Sequence, residues 1–107
     1  MNRLMDYQLV LQFRGDSLTD YDAMVALENE LIAELGNSAK VDGHDVGSGE
    51  VNIFIITADP ARTFRQSSLV LERKRCLGAV RAAHGPVEGE EYTVIWPESS
   101  PGNFRIV

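Results

Sequence analysis

Residues 51–57 read Val-Asn-Ile-Phe-Ile-Ile-Thr, a nearly unbroken run of β-branched and aromatic side chains. A strand turns successive side chains to opposite faces, so a run that is apolar at both parities needs cover on both. Such a segment belongs inside a sheet, with a strand on either side, and the other elements have to be arranged around it.

The segment before it supplies one neighbour. Lys40–Val46 can pair with Glu50–Thr57 across Gly47-Ser48-Gly49, whose glycines supply the positive φ of a tight hairpin. Near the start of the chain, Tyr7, Leu9, Leu11 and Phe13 alternate with Gln8, Val10, Gln12 and Arg14, which predicts a strand with one buried face. Gly15 and Asp16 break that strand. Between these two regions, Met24, Leu27, Leu31 and Leu35 recur at spacings of three and four, the apolar stripe of a helix over residues 19–35. Ser17 or Thr19 caps its first turn, Asp20 and Asp22 suit the positive end of its dipole, and Gly36 is placed to end it in a left-handed conformation.

Asp59-Pro60 opens a second helix, with aspartate as the cap and proline in the first turn, where its missing N–H costs nothing. Its periodicity is weaker, and Ala61, Phe64, Ser68 and Leu71 make its best face over residues 60–76. Residues 78–84 fit a fraying helix, a loop or a short strand equally. Glu91–Pro97 is a strand stopped by proline, and residues 98–107 are a tail that packs only if Phe104 and Ile106 find cover. The order β-α-β-β-α-β, with room for one extra short strand, predicts an α+β fold of the ferredoxin-like split β-α-β kind: an antiparallel sheet with both helices on one face. The expectation is one domain over 1–107, with 98–107 as a C-terminal tail. A core of this size needs neither disulfide nor structural metal.

Charge and cysteine usage narrow the function classes. Sixteen acidic against ten basic residues give a net charge of −6, which argues against a partner bound through nucleic-acid phosphates and favours a basic one. The lone Cys76 reads as a small buried hydrophobe inside the second helix. Met1–Arg14 already reads as structure rather than as a leader, and no apolar run approaches the roughly 18 residues of a membrane span. The expected location is cytoplasmic.

The richest chemistry lies in residues 41–50, where Asp42, His44, Asp45 and Glu50 stand among three glycines. Hard oxygens and one imidazole can bind a divalent cation or form an acid–base pair. The spacing matches no metal-binding loop, and the glycine run precedes a strand rather than a helix, so it is no phosphate loop. Strand parity puts Asp42 and His44 on one face and Asp45 on the other, so a single site requires a bulge, which Gly43 or Gly47 can provide. In the predicted topology Asp16, this hairpin and His84 come to the same end of the sheet. The plainer alternative is a structural turn, with Asp42 and Asp45 bonded to nearby backbone and His44 on a solvent face.

Two surface features follow. Arg62, Arg65, Arg73, Lys74, Arg75 and Arg81 are six of the ten basic residues, opposed locally only by Glu72, and face Glu28, Glu30 and Glu34 if the helices lie side by side. Surface ion pairs and a patch for an anion or an acidic partner both fit. On the sheet face without helices, Val10, Phe54 and Ile56 are expected to be exposed, a surface that suits a symmetric homodimer.

The string Asp-Gly-His-Asp-Val-Gly-Ser-Gly-Glu over residues 42–50, followed by Asp59-Pro60 and by Tyr-Thr-Val-Ile-Trp-Pro over 92–97, resembles small uncharacterised bacterial α/β proteins across residues 5–97. That resemblance implies no activity and transfers no catalytic residue. The chain is also similar to immunity proteins, which are small, acidic, non-enzymatic toxin binders.

The reading favours a non-enzymatic binding or interaction module, self-associating through the open sheet face, with a protein partner as a second option and with no cofactor, metal, nucleic acid or membrane involved. Asp42, His44, Asp45, Glu50 and His84 are its candidate ligand- or partner-binding residues, and none is assigned a catalytic role. The alternatives are a small enzyme with an acid–base or metal site in the 42–50 hairpin and a toxin-immunity-like protein.

Overall fold

The computed structural model describes residues 7–14, 21–47, 49–89 and 91–97, apart from the side chain of Tyr21. The elements are β1 (Tyr7–Arg14), α1 (Tyr21–Leu35), β2 (Ala39–Gly47), β3 (Glu50–Thr57), α2 (Pro60–Arg73), β4 (Val80–Pro86) and β5 (Thr93–Trp96). The strands form one five-stranded sheet in the order β2-β3-β1-β4-β5, and every neighbouring pair is antiparallel. With two helices the fold is α+β. The interior run of residues 50–57 has the neighbour on each side that its composition demands. Residues 78–84, left open by the sequence, divide into a 3-10 turn over Leu77–Ala79 and the strand β4, which lies against β1. The more obviously strand-like residues 93–96 form the outer strand β5.

Both helices pack on one face of the sheet. Leu9, Leu11 and Phe13 of β1 share a core with Val51, Ile53 and Ile55 of β3, with Met24, Leu27, Leu31 and Leu35 of α1, and with Val70 and Leu71 of α2. The predicted stripe of α1 is therefore the buried one, and Gly36 ends the helix with φ +54°. The predicted cap of α2 is also present, since Asp59 accepts a hydrogen bond from the Arg62 backbone N–H at 3.1 Å. The proposed cap residues of α1 (Ser17 and Thr19), Asp16, and the tail with Phe104 and Ile106 lie outside the described residues.

The buried face of α2 differs from the expected one. Thr63, Ser67, Val70 and Leu71 are buried, whereas Ala61 is exposed and Phe64 and Ser68 are half-buried. Hydroxyls explain the shift. Thr57 and Thr63 share a hydrogen bond of 2.6 Å, and Ser67 donates to the Thr63 carbonyl at 2.8 Å. Thr57 also accepts from the Asp59 N–H at 3.0 Å, which ties the end of β3 to the start of α2. With each hydroxyl bonded locally, burial carries little penalty, and the inner face is written in residues that read as polar.

The helix also ends earlier than expected, at Arg73 rather than near Cys76. Arg75 takes φ +59°, its N–H bonds to Glu72 O at 3.0 Å, and the Cys76 N–H bonds to Leu71 O at 2.9 Å. This is a Schellman closure with arginine where glycine is usual. Cys76 is buried beside Leu71, outside the helix. On the far side, the Trp96 indole N–H donates to the Leu77 carbonyl at 3.0 Å and its ring lies 5.9 Å from that of Phe64, so β5 is fastened to the helical layer. No helix among the described residues is long and apolar enough to cross a membrane.

A left-handed arginine carries steric cost that glycine lacks. Arg75→Gly is expected to raise stability by about 0.5–1 kcal/mol. Denaturant unfolding of the two proteins checks this, and an unchanged or lowered midpoint contradicts it.

Candidate functional site

The hairpin departs from simple strand parity at one residue. Val41 lies opposite Ile55 and Gly43 opposite Phe54, so Asp42 is the extra residue of a β-bulge. Gly43 accommodates it with φ +147°, a conformation open to glycine and costly for other residues. Beyond the bulge His44 lies opposite Ile53, on the helix side, and Asp45 opposite Asn52, on the other side. Gly47 and Glu50 close the pairing, and Gly49 turns the chain with φ +77°.

The bulge brings His44 to a residue that the sequence did not connect with it. Its Nδ1–H donates to the Glu28 carboxylate, at 3.0 and 3.2 Å from the two oxygens. The Glu28 side chain is 12% exposed and that of His44 29% exposed. Glu28 lies off the apolar stripe of α1, three residues beyond the half-buried Val25, and this side of the helix looks towards β2. The pair bolts the edge strand to α1. Asp42 sits 3.7 Å from Lys40, with both side chains largely exposed, a contact that contributes little.

The predicted cluster therefore does not assemble. His44 turns towards the helices, Asp45 away from them, and Asp42 stays in the bulge. His84 is also not brought to the hairpin. It lies in β4 opposite Leu9, with β1 and β3 between it and β2. Three strand spacings separate the two histidines laterally, about 14 Å. Tracing β4 as a strand that starts beside Phe13 and runs towards Tyr7 explains the difference: each residue after Val80 carries the chain further from the hairpin end. Among the described residues, no three of His, Cys, Asp and Glu stand close enough to hold a metal ion. Burial pushes the Cys76 thiol above its ordinary pKa, so it is a poor nucleophile.

His84 instead lies beside a cavity of about 370 Å³ at the other end of the sheet, whose walls include Tyr7, Gly85, Glu91 and Thr93. The rings of Tyr7 and His84 meet nearly at right angles, 83° apart, with centroids separated by 6.5 Å. The signal for this site was the pairing of residues 80–86 with β1, which a short, alanine- and glycine-containing segment announces only faintly.

The open sheet face also departs from expectation. Val10 and Ala83 are fully buried there, packed by half-buried Phe54, Tyr92 and Val94, and Ile56 is half-buried. None of the three apolar residues expected to be exposed is so. Beside them Gln12 Nε2 donates to Asn52 Oδ1 at 3.1 Å, and Asn52 Nδ2 is buried with no hydrogen-bond partner among the described residues.

The basic cluster is divided. Arg73 lies 3.8 Å from Glu30 and 3.6 Å from Glu34, and Lys74 pairs with Glu30 at 2.5 Å. Arg62, Arg65 and Arg75 are exposed, and Arg81 is half-buried in β4, opposite Gln12. The hydrogen bond from Lys74 holds the Glu30 carboxyl below its ordinary pKa; partial desolvation opposes this, and the Lys74 and Arg73 charges reinforce it. The helix pair is laced by surface ion pairs, as one of the two sequence readings had it. No family model, curated protein or solved structure matches the chain.

Two predictions follow from these contacts. A double-mutant cycle over His44→Ala and Glu28→Ala is expected to give a coupling of about 0.5–1 kcal/mol, the scale for a partly exposed pair, whereas Asp42→Ala and Asp45→Ala change stability by less than about 0.5 kcal/mol. Chemical denaturation measures all five variants, and zero coupling would remove the bolt. For Glu30, a folded pKa below the unfolded one means stability that is present above the ordinary carboxylate range and lost as pH falls through the lowered value. Lys74→Met should lower the melting temperature at neutral pH, and the difference should vanish near pH ~3, below the ordinary glutamate range. A difference independent of pH would show that Lys74 acts through packing alone.

Proposed function

We propose that the protein is a non-enzymatic interaction module on a ferredoxin-like split β-α-β scaffold, and that it self-associates through the sheet face turned away from its helices. The scaffold assignment is supported by the spatial order β2-β3-β1-β4, with α1 joining the first two strands and α2 the last two in chain order; β5 then extends the sheet at its edge. A cytoplasmic location belongs to the same proposal and is supported by the single, buried cysteine.

The observation that carries the functional reading is the second apolar cluster. Val10 and Ala83 form its floor, and Phe54, Tyr92 and Val94 its half-buried rim, on the face away from the main core. A rim that is only half covered has apolar area left to bury, and a symmetric pair would lay Phe54 and Ile56 of one copy against those of the other. Five strands at about 4.8 Å and some six residues of usable length give roughly 500 Å² per copy. About 1,000 Å² in total lies at the low end of specific interfaces, so the pair is weak and concentration-dependent.

The enzyme alternative loses support from the divergence of Asp42, His44, Asp45 and His84, since acid–base work needs groups within hydrogen-bond reach of one reacting centre. The immunity-like alternative draws on the exposed Asp42 and Asp45 of the hairpin, which suit a basic partner surface.

Sedimentation equilibrium from micromolar to millimolar concentration tests the proposal. A reversible monomer–dimer equilibrium is expected, abolished by Phe54→Lys or Ile56→Lys in variants that keep the native circular dichroism. A chain that stays monomeric throughout, or a dimer that both folded variants retain, would sink it.

A further inference from the structure

We propose that the cavity between the start of β1 and the β4–β5 connection binds a small molecule with a flat apolar body and a protonated amine. At about 370 Å³ the cavity is within the range of small-molecule sites. Its position is fixed by backbone contact. A Cβ added at Gly85 would come within 2.4 Å of the Glu91 carbonyl oxygen, so β4 and the entry to β5 touch where only glycine fits. At Gly85 and Glu91 the wall is held by this contact, so ordering that part of it on binding costs little.

The lining selects the ligand. Gly85, Gly89 and the Pro86 ring packed against Gly89 line one wall without a polar side chain, a surface that a planar group can lie along. The perpendicular rings of Tyr7 and His84 form a corner in which a third ring stacks on one and meets the other edge-on. The His84 imidazole is half-buried and makes no hydrogen bond with any described residue, so its ring nitrogens are open to a polar group of the ligand on the described side of the site. Thr93, opposite His84 across the β4–β5 ladder, adds a hydroxyl on the same wall.

Charge decides between an amine and an acid. Among the described lining residues Glu91 is the single formally charged side chain at neutral pH, and the chain as a whole carries −6. A carboxylate or phosphate would enter against that field, whereas an ammonium gains Glu91 as a counter-ion and the Tyr7 ring as a cation–π partner. This site is separate from the hairpin and does not depend on self-association.

Benzylamine, benzyl alcohol and sodium benzoate share a ring and differ in charge, and each can be titrated into the isotopically labelled chain at neutral pH while resonances of Tyr7, His84, Gly85 and Thr93 are followed. Benzylamine is expected to move them saturably at millimolar concentration, benzyl alcohol more weakly, and benzoate not at all. Glu91→Gln should weaken benzylamine by about threefold or more, the scale of an exposed ion contact, and leave benzyl alcohol unchanged. Benzoate binding as tightly as benzylamine, indifference of benzylamine to Glu91→Gln, or the absence of any saturable shift at these residues would overturn the proposal. Because the three probes are also compared on the unmodified protein, the ranking of amine over acid does not depend on how well the variant folds.

Discussion

Burial of β1 on both faces is the constraint on which the rest of the architecture hangs. Five consecutive residues, Leu9 to Phe13, are buried, and the strand is hydrogen-bonded to β3 on one side and β4 on the other. Its odd-numbered residues need the helices and its even-numbered ones need cover on the opposite face. At about 1.5–3 kcal/mol for each fully buried large apolar side chain, Leu9, Leu11 and Phe13 together contribute an amount comparable with the whole net stability of a domain of this size. That demand sets the positions of α1 and α2, and it creates a second apolar cluster around Val10 as an unavoidable consequence of alternation.

Polar groups are admitted to these layers on different terms. On the helix side the hydroxyls of Thr57, Thr63 and Ser67 each have a bond, so they join strand and helix without leaving an orphan. On the opposite face Gln12 satisfies only one side of Asn52, and among the described residues its buried amide donor has no partner. An unmet donor costs about 1–3 kcal/mol. It is tolerable in a sheet whose two neighbouring strands already hold the backbone in register, and it marks the open face as the less optimised of the two.

The parts of the fold that were legible in the sequence are those where one period dominates. The stripe Met24-Leu27-Leu31-Leu35, the alternation from Tyr7 to Phe13 and the doubly apolar run 51–57 each read directly as the element they form, and so did Asp59 as a cap. Three features were hidden for identifiable reasons. The inner face of α2 uses Thr63 and Ser67, whose burial depends on local hydrogen bonds that hydropathy ignores. The end of α2 is a Schellman turn built on Arg75, with no glycine to announce it. The interior strand β4 contains Arg81, His84 and Gly85, so its β character comes from its neighbours on both sides rather than from its own residues. Misplacing it also misplaced His84.

The hairpin shows why residue type alone is a weak guide to chemistry. Its histidine and acids have the composition of a catalytic or metal site, yet a single extra residue at Asp42 resets the parity of all that follow. Had the strand been regular, His44 would have shared the face of Asp42 and lost Glu28. With the bulge, an imidazole that reads as a candidate base becomes a tie between an edge strand and a helix. Edge strands carry an intrinsic hazard of unwanted pairing, and a bulge, a Lys40–Asp42 pair and an outward Asp45 are the usual means of blunting it. Asp42, His44 and Asp45, which look most like an active site, thus each also meet a need of an exposed edge. The histidine that makes no hydrogen bond with any described residue is His84, which the sequence had brought to the hairpin end of the sheet and which β4 carries to the other end.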